Sequence, residues 1–407
     1  ALRGNTTASN NTAVGYQAAY ANTTGTNMTA IGYQALDSNT TGSGNTTVGV
    51  VSLQANTTGA DNTVLGYGAA LLNTTGSYNV ALGMNALRGN TTASNNTAVG
   101  YQAGYSNTSG NVQAFGYKAL EDNTTGAENT ALGLVALSAN TSGGYNTAVG
   151  SRALAQNTTA NNNTAVGYQA AYSTTTGSYS TAVGFQAHYS NTTGRNSALG
   201  YVALRSNTTG TNNTAVGDTS LYSTTTGTSN TGLGVEALFA NTTGTNNVAL
   251  GVSSLRNNTT ASSNTAVGYQ AAYTNTTGLA NTAVGISALT SNTTGSYNIA
   301  VGQQTLYNNT TGGFNVAVGN FALYRNDTSG NNTAVGWDSL LNAVASNNTA
   351  VGYQAMENRT TRSSNTAIGS EAGHNGTTAI NSLYAGYRAG YNTNTGSYNV
   401  YLGPFCG

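Results

Sequence analysis

The sequence is poor in the residues that usually solvate, brace or react. Its 407 residues include 1 Cys, 1 Pro, 1 Trp and 2 His, and DEKR together make up 5%. An ordinary globular domain is about a quarter charged, so another kind of polar group must cover this surface. The lone Cys406 cannot form a disulfide within the chain. Eleven basic residues balance eleven acidic ones, which removes the electrostatic footprint of a nucleic-acid or anionic-membrane binder. No stretch of about 18 apolar residues can span a bilayer, and no charged-then-apolar leader opens the chain. Ala1 falls in the middle of a repeat, so a fragment or processed product is expected. Disorder is disfavoured too, because 38% of the residues are hydrophobic, more than solvated tails carry.

What is present is a repeat. Gly15, Gly32, Gly49, Gly66, Gly83 and Gly100 stand 17 apart, and the series runs on to Gly403. Three steps are one residue short: 100 to 116, 184 to 200 and 336 to 352. Length alone would suggest two or three domains, but no linker or change of composition offers a boundary. The expectation is one continuous domain over 1–407, with a partial first coil at 1–15 and divergent terminal coils at 370–407. Ala1 to Ala18 recurs letter for letter at Ala86 to Ala103, an offset of five coils, as a block duplication would leave.

A unit this short has room for two short strands and two turns, not for a helix pair. Thr-Ala-Val-Gly-Tyr alternates like a strand, and Asn-Thr-Thr-Gly is a turn signal. The predicted fold is therefore all-β: a single β-solenoid, a parallel β-roll of about 24 coils. At about 4.8 Å per coil it would be a rod about 115 Å long. Each coil position becomes a file. The residue before each Gly is expected to form a core ladder: Val14, Ile31, Val48, Leu65, Leu82, Val99, Phe115, Leu132, Val149 and Val166. A second apolar point lies four after the Gly, at Leu36, Leu53, Leu87, Leu120 and Leu137. Asn11, Asn27 and Asn45 should stack at a corner and hydrogen-bond along the axis.

Four features bear on function. Asn-x-Thr/Ser triplets recur in one turn of the coil, at Asn22, Asn39, Asn56, Asn73, Asn90, Asn107, Asn123, Asn140, Asn157, Asn191, Asn207, Asn241, Asn258, Asn275, Asn292 and Asn309. These are candidate N-glycosylation acceptors, whose sugars would replace the missing charge, although Asn, Thr and Gly are also what a tight turn selects. Tyrosines follow the Gly by one residue (Tyr16, Tyr33, Tyr67, Tyr101, Tyr117) and by five (Tyr20, Tyr105, Tyr172). They read as packing ladders or as an exposed stripe for adhesion and lateral association. Asp218, Gln303, Asn320 and Ser370 replace the first set, which marks that position as wet. Thr12, Thr29, Thr46 and Thr63 lie three before the Gly. They raise an ice-binding face, but Val80, Val248, Ile299 and Val316 replace Thr there and point to a core-margin position.

Catalysis has no basis in the sequence. His188 and His374 occupy unrelated coils, Glu121 with Asp122 reads as a solvated turn, and no coil pairs a nucleophile with a base. No enzyme, no metal site and no cofactor are expected.

At Asn-Thr-Ala-Val-Gly-Tyr-Gln-Ala the repeat resembles the head repeats of YadA-type trimeric autotransporter adhesins. It is also similar to the Asn-Thr-Ala-Val/Ile-Gly-Tyr-Gln-Ala repeats of large bacterial and phage-like surface proteins. The resemblance implies a left-handed β-roll, a surface location and, for the adhesins, a homotrimer that binds extracellular matrix. The core positions it carries over are Val14, Ile31, Val99 and Val149, flanked by the small Ala13 and Gly15. The expected function is an extracellular structural or adhesive fibre protein, the alternatives being a trimeric matrix-binding adhesin head and an ice-binding protein. Expected partners are further copies in a fibre or homotrimer, host or environmental surface ligands and covalent glycans, with no nucleic acid and no membrane span.

Overall fold

A computed structural model describes residues 1–358, 361, 363–375, 379–393 and 396–407. The fold is all-β, a parallel β-solenoid with one coil per repeat, and the described residues hold 24 short strands and no helix. The chain divides into two compact units, Ala1–Tyr201 and Val202–Gly407.

The first unit runs from β1 (Thr12–Val14) to β12 (Ser197–Leu199). Each strand pairs in parallel with the next, like residue on like: Thr12 with Thr29, Ala13 with Ala30, Val14 with Ile31. Register survives the first shortened coil, where Thr97, Ala98 and Val99 pair with Gln113, Ala114 and Phe115. The second unit, from β13 (Thr214–Val216) to β24 (Val400–Leu402), repeats the arrangement. There too a one-residue deletion leaves Thr333 against Thr349.

Each coil contains one strand where the sequence suggested two. Beyond the Gly the backbone steps through left-handed residues at the second and fourth positions, φ 55° at Gln34 and 54° at Leu36. Such residues cost about 1–2 kcal/mol each for L-amino acids. The neighbouring coils hold them in place: Leu36 N–H donates to Ser52 O (3.0 Å) and Ser38 N–H to Gln54 O (3.0 Å). The invariant Gly has its own cause. Gly15 has φ 132°, and a Cβ there would lie 2.8 Å from the carbonyl carbon of Gly32 in the next coil.

The core corrects the sequence reading. Side chains alternate along a strand, and in Thr-Ala-Val it is Ala that points inward: Ala30, Ala81 and Ala98 are fully buried. The expected core ladder of Val14, Ile31, Val48, Leu65, Leu82, Val99, Phe115, Leu132, Val149 and Val166 faces outward, with Val14 58% and Leu65 51% exposed. The reason is volume. A 17-residue coil encloses room for one large side chain, and the Leu four after the Gly fills it from the opposite side: Leu36, Leu53 and Leu87 in the first unit, Leu221, Leu289 and Leu306 in the second, all fully buried. The terminal coils trade the two volumes. Tyr384 takes the inward strand position and Gly390 takes the Leu position, where a Cβ would strike the Tyr384 ring.

Candidate binding surface

Polar ladders flank this thin core. In the Asn-Thr-Thr-Gly turn each Asn bonds twice: Asn56 Nδ2 donates to Asn39 Oδ1 (2.8 Å) in the preceding coil and to Gly59 O (2.9 Å) in its own turn. The chain of amides runs from Asn22 to Asn157, and again from Asn241 to Asn326. A second file sits at the other corner. Asn45 Oδ1 accepts from Asn62 N–H (3.0 Å), and Asn45 Nδ2 donates to Gly59 O (2.8 Å). Asn27 does not belong to it. Met28 fills that place and Asn27 is exposed.

This geometry overturns the glycosylation reading. Asn22, Asn39, Asn56, Asn73, Asn90, Asn107, Asn123, Asn140, Asn157, Asn191, Asn207, Asn241, Asn258, Asn275, Asn292 and Asn309 are all 0% exposed. Where the ladder is formed, the Nδ2 that a sugar would modify is the donor that ties one coil to the last, so the folded coil has neither room nor a free amide for a glycan. The turn reading of the same letters is the one the structure supports.

The ladders have a fault near the end of the first unit. Thr174 stands in the Asn file, and both Asn157 Oδ1 and Thr174 Oγ1 are buried without hydrogen-bond partners. Ser180 replaces Asn at the other corner, and its Oγ accepts from Asn196 N–H at 3.4 Å. His188 occupies the Leu position, fully buried, with Nε2 3.1 Å from Asn196 Nδ2 and no partner for Nδ1. Burial lowers its pKa from 6.5 to about 3, so the ring is neutral at ordinary pH. His188 was legible as a core residue from its register alone, four after Gly184.

The remaining sites of sequence interest are dispersed. His374 Nε2 meets Glu357 Oε2 (2.8 Å) and stacks on Tyr391. Glu121 pairs with Lys118 (2.9 Å), while burial first, and then the Glu121 charge, raises the Asp122 carboxyl. Cys406 Sγ donates to Gly403 O (2.9 Å). The guanidinium of Arg256 donates twice to the Glu236 carboxylate, at 2.7 and 3.2 Å, and holds that carboxyl below its usual range. Among the described residues no three His, Cys, Asp or Glu side chains converge as a metal site would require. A polar cavity of about 240 Å³, lined by Asn95, Asn111, Gln113, Glu128, Asn129 and Thr130, lies where the first shortened coil lacks its exposed corner residue.

The surface that repeats in every coil is the outward sheet face. It carries three parallel files: hydroxyls three before the Gly, aliphatics one before it, and mainly aromatics one after it. Thr12, Thr46 and Thr63 are exposed, which moves this position from the core margin to the surface. Tyr16 stacks on Tyr33 and Tyr101 on Tyr117 at 5.3 Å between centroids, and Phe185 lies between Tyr168 and Tyr201. The rings cover one another's faces, so their edges and phenol oxygens point outward. From β1 to β12 no charged residue enters any of the three files. In the second unit Asp218, Gln303, Asn320 and Ser370 interrupt the aromatic file.

No family model matches this chain, and no curated protein does. No helix among the described residues is long and apolar enough to cross a membrane.

Proposed function

We propose that this is an extracellular structural or adhesive fibre protein that works as a repeat rod. Its useful property is a surface repeated coil after coil, and the reading assigns it no catalysis. The observation that supports it is the outward face: three files of mainly hydroxyl, aliphatic and aromatic side chains presented once per coil, a multivalent array. An antibody raised against the purified chain should label intact, unpermeabilised source cells or particles. The purified chain should also be retained on matrix-coated or environmental surfaces. Labelling that appears only after permeabilisation overturns the extracellular assignment.

A second reading, ice binding, gains from one observation, the exposed Thr file on a regular sheet. Inhibition of ice recrystallisation by the native chain, abolished by Thr46→Lys with Thr63→Lys, would select it. Inactivity of the native chain would remove it.

A further inference from the structure

We propose that the outward sheet face of the first unit pairs with the same face of a second copy of this chain, the two solenoids lying parallel with each coil against its counterpart. The inference rests on the fibre reading and names the surface through which the fibre would thicken.

Three observations point to a second copy. The first is charge. The three files of this face carry no charge from β1 to β12, so nothing within them repels a like face, and Lys118 lies at its margin, 5.8 Å from the Tyr117 ring centroid. The second is area. Twelve strands at about 4.8 Å and a band about 13 Å wide give about 700 Å² per copy, so pairing would bury about 1,400 Å², within the range of specific interfaces. The apolar part alone is a continuous strip: Val14, Ile31, Leu65, Leu132 and Leu199 are each exposed in one file, and Tyr16, Tyr33, Tyr67, Tyr117 and Tyr201 in the next. Isolated monomers rarely leave so long a strip uncovered.

The third observation is the order of the files, which fixes the geometry. A two-fold axis along the solenoid sets aliphatic file on aliphatic file and brings the hydroxyl file of each copy opposite the aromatic file of the other. In the coils of Tyr16, Tyr33, Tyr67, Tyr101 and Tyr168 the phenol oxygens then meet Thr hydroxyls. Among the described residues Tyr33, Tyr67 and Tyr101 Oη, like Thr29, Thr63 and Thr97 Oγ1, make no hydrogen bond that would compete. A two-fold across the solenoid would set like on like and leave the aromatic files to crowd. A sugar polymer fits less well, because the ring faces that would stack on it are already covered by neighbouring rings in the file. The first unit has eight aromatics in this file, broken at Val50, Met84, Leu134 and Ser151, against four in the second, where Asp218 adds a charge, and this difference places the pairing in the first.

Light scattering and sedimentation equilibrium on the full chain provide the test. The expected native mass is twice 41.0 kDa. Val99→Lys with Val149→Lys faces like charges across the axis and should raise the dissociation constant at least tenfold, with an unchanged β-sheet spectrum because both side chains point outward. Val267→Lys with Val301→Lys, the same change in the second unit, should leave the doubled mass intact. Thr130→Lys should weaken pairing and Leu134→Glu should restore it in the double variant, since the parallel two-fold sets one position against the other. A tripled mass, loss of pairing from the second-unit variant, or further weakening in the double variant overturns the proposal. A single-chain mass at every concentration also overturns it, while surface labelling judges the fibre reading separately.

Discussion

Two stretches of the solenoid obey the same repeat and are held together differently. In the coils that carry Asn258, Asn275, Asn292 and Asn309, every turn amide bonds to the one before it at 2.8–3.0 Å and to its own turn. Leu255, Leu289 and Leu306 fill the interior of these coils or their neighbours. In the coils that carry Thr174, Ser180 and His188, three files change residue within one stretch. The backbone still stacks there: Ala171 N–H reaches Ala187 O at 2.9 Å and Thr175 N–H reaches Thr192 O at 3.2 Å. The comparison separates two jobs. Backbone pairing sets the coil spacing, while side-chain ladders fix how much opening a coil costs, because a buried polar atom without a partner is expensive.

The largest expected effect comes from cutting a perfect ladder. Asn275→Ala removes the acceptor of Asn292 Nδ2 and the donor to Asn258 Oδ1 and Gly278 O, and should cost about 3 kcal/mol in urea unfolding, because Asn258 Oδ1 is left buried without a partner while Asn292 Nδ2 and Gly278 O each keep one of two bonds. Asn157→Ala should cost about half as much, since Asn157 Oδ1 already lacks a partner. Equal losses at the two sites would erase the distinction between the stretches.

Between pH 6.5 and pH 4.5, above the range where the Glu236 carboxylate paired with Arg256 takes up its proton, acid should act chiefly on the faulted stretch. His188 has a folded pKa of about 3 against an ordinary 6.5, so between those values the unfolded chain binds the extra proton and stability falls as pH falls. The slope approaches about 1.4 kcal/mol per pH unit below pH 6, which makes about 2 kcal/mol between pH 6.5 and pH 4.5. His188→Leu should flatten that part of the profile and raise the denaturation midpoint at pH 7. An unchanged profile would show that the imidazole is not sealed in the core.

Repair should be measurable in the same place. Thr174→Asn supplies a donor for Asn157 Oδ1 and should stabilise by about 1 kcal/mol, the net worth of a buried hydrogen bond. The smallest effect is expected outside. Val267→Lys sits in the outward aliphatic file and should change the stability of the single chain by under about 0.5 kcal/mol, whereas an inward Val would make the same change severe.

How much of this was legible in the sequence follows from what each letter constrains. The period of Gly15, Gly32 and Gly49 fixed the coil, its parallel register and the stacking of Asn on Asn. Leu36 and Leu53 were correctly placed in the core because nothing competes for that position. The phase of Thr-Ala-Val was not legible, since three alternating residues leave open which face is inside. Hydrophobicity favoured Val, whereas the space left beside Leu accepts only Ala. The Asn-Thr-Thr-Gly letters serve equally as a glycan acceptor and as a turn, and only the burial of Asn22 and its successors separates the two. Asn27 and Met28 differ by one position, and a shift of one along an alternating chain exchanges inside for outside.

Peptide-resolved hydrogen exchange on the native chain tests the central claim most directly, namely that buried Asn ladders at both corners lock the coils. The account predicts slow exchange through the Asn-Thr-Thr-Gly turns at 241–312, comparable to the strands, and distinctly faster exchange at 171–196, where the ladders are broken. Fast exchange in all the turns, with protection confined to the strands, would contradict it.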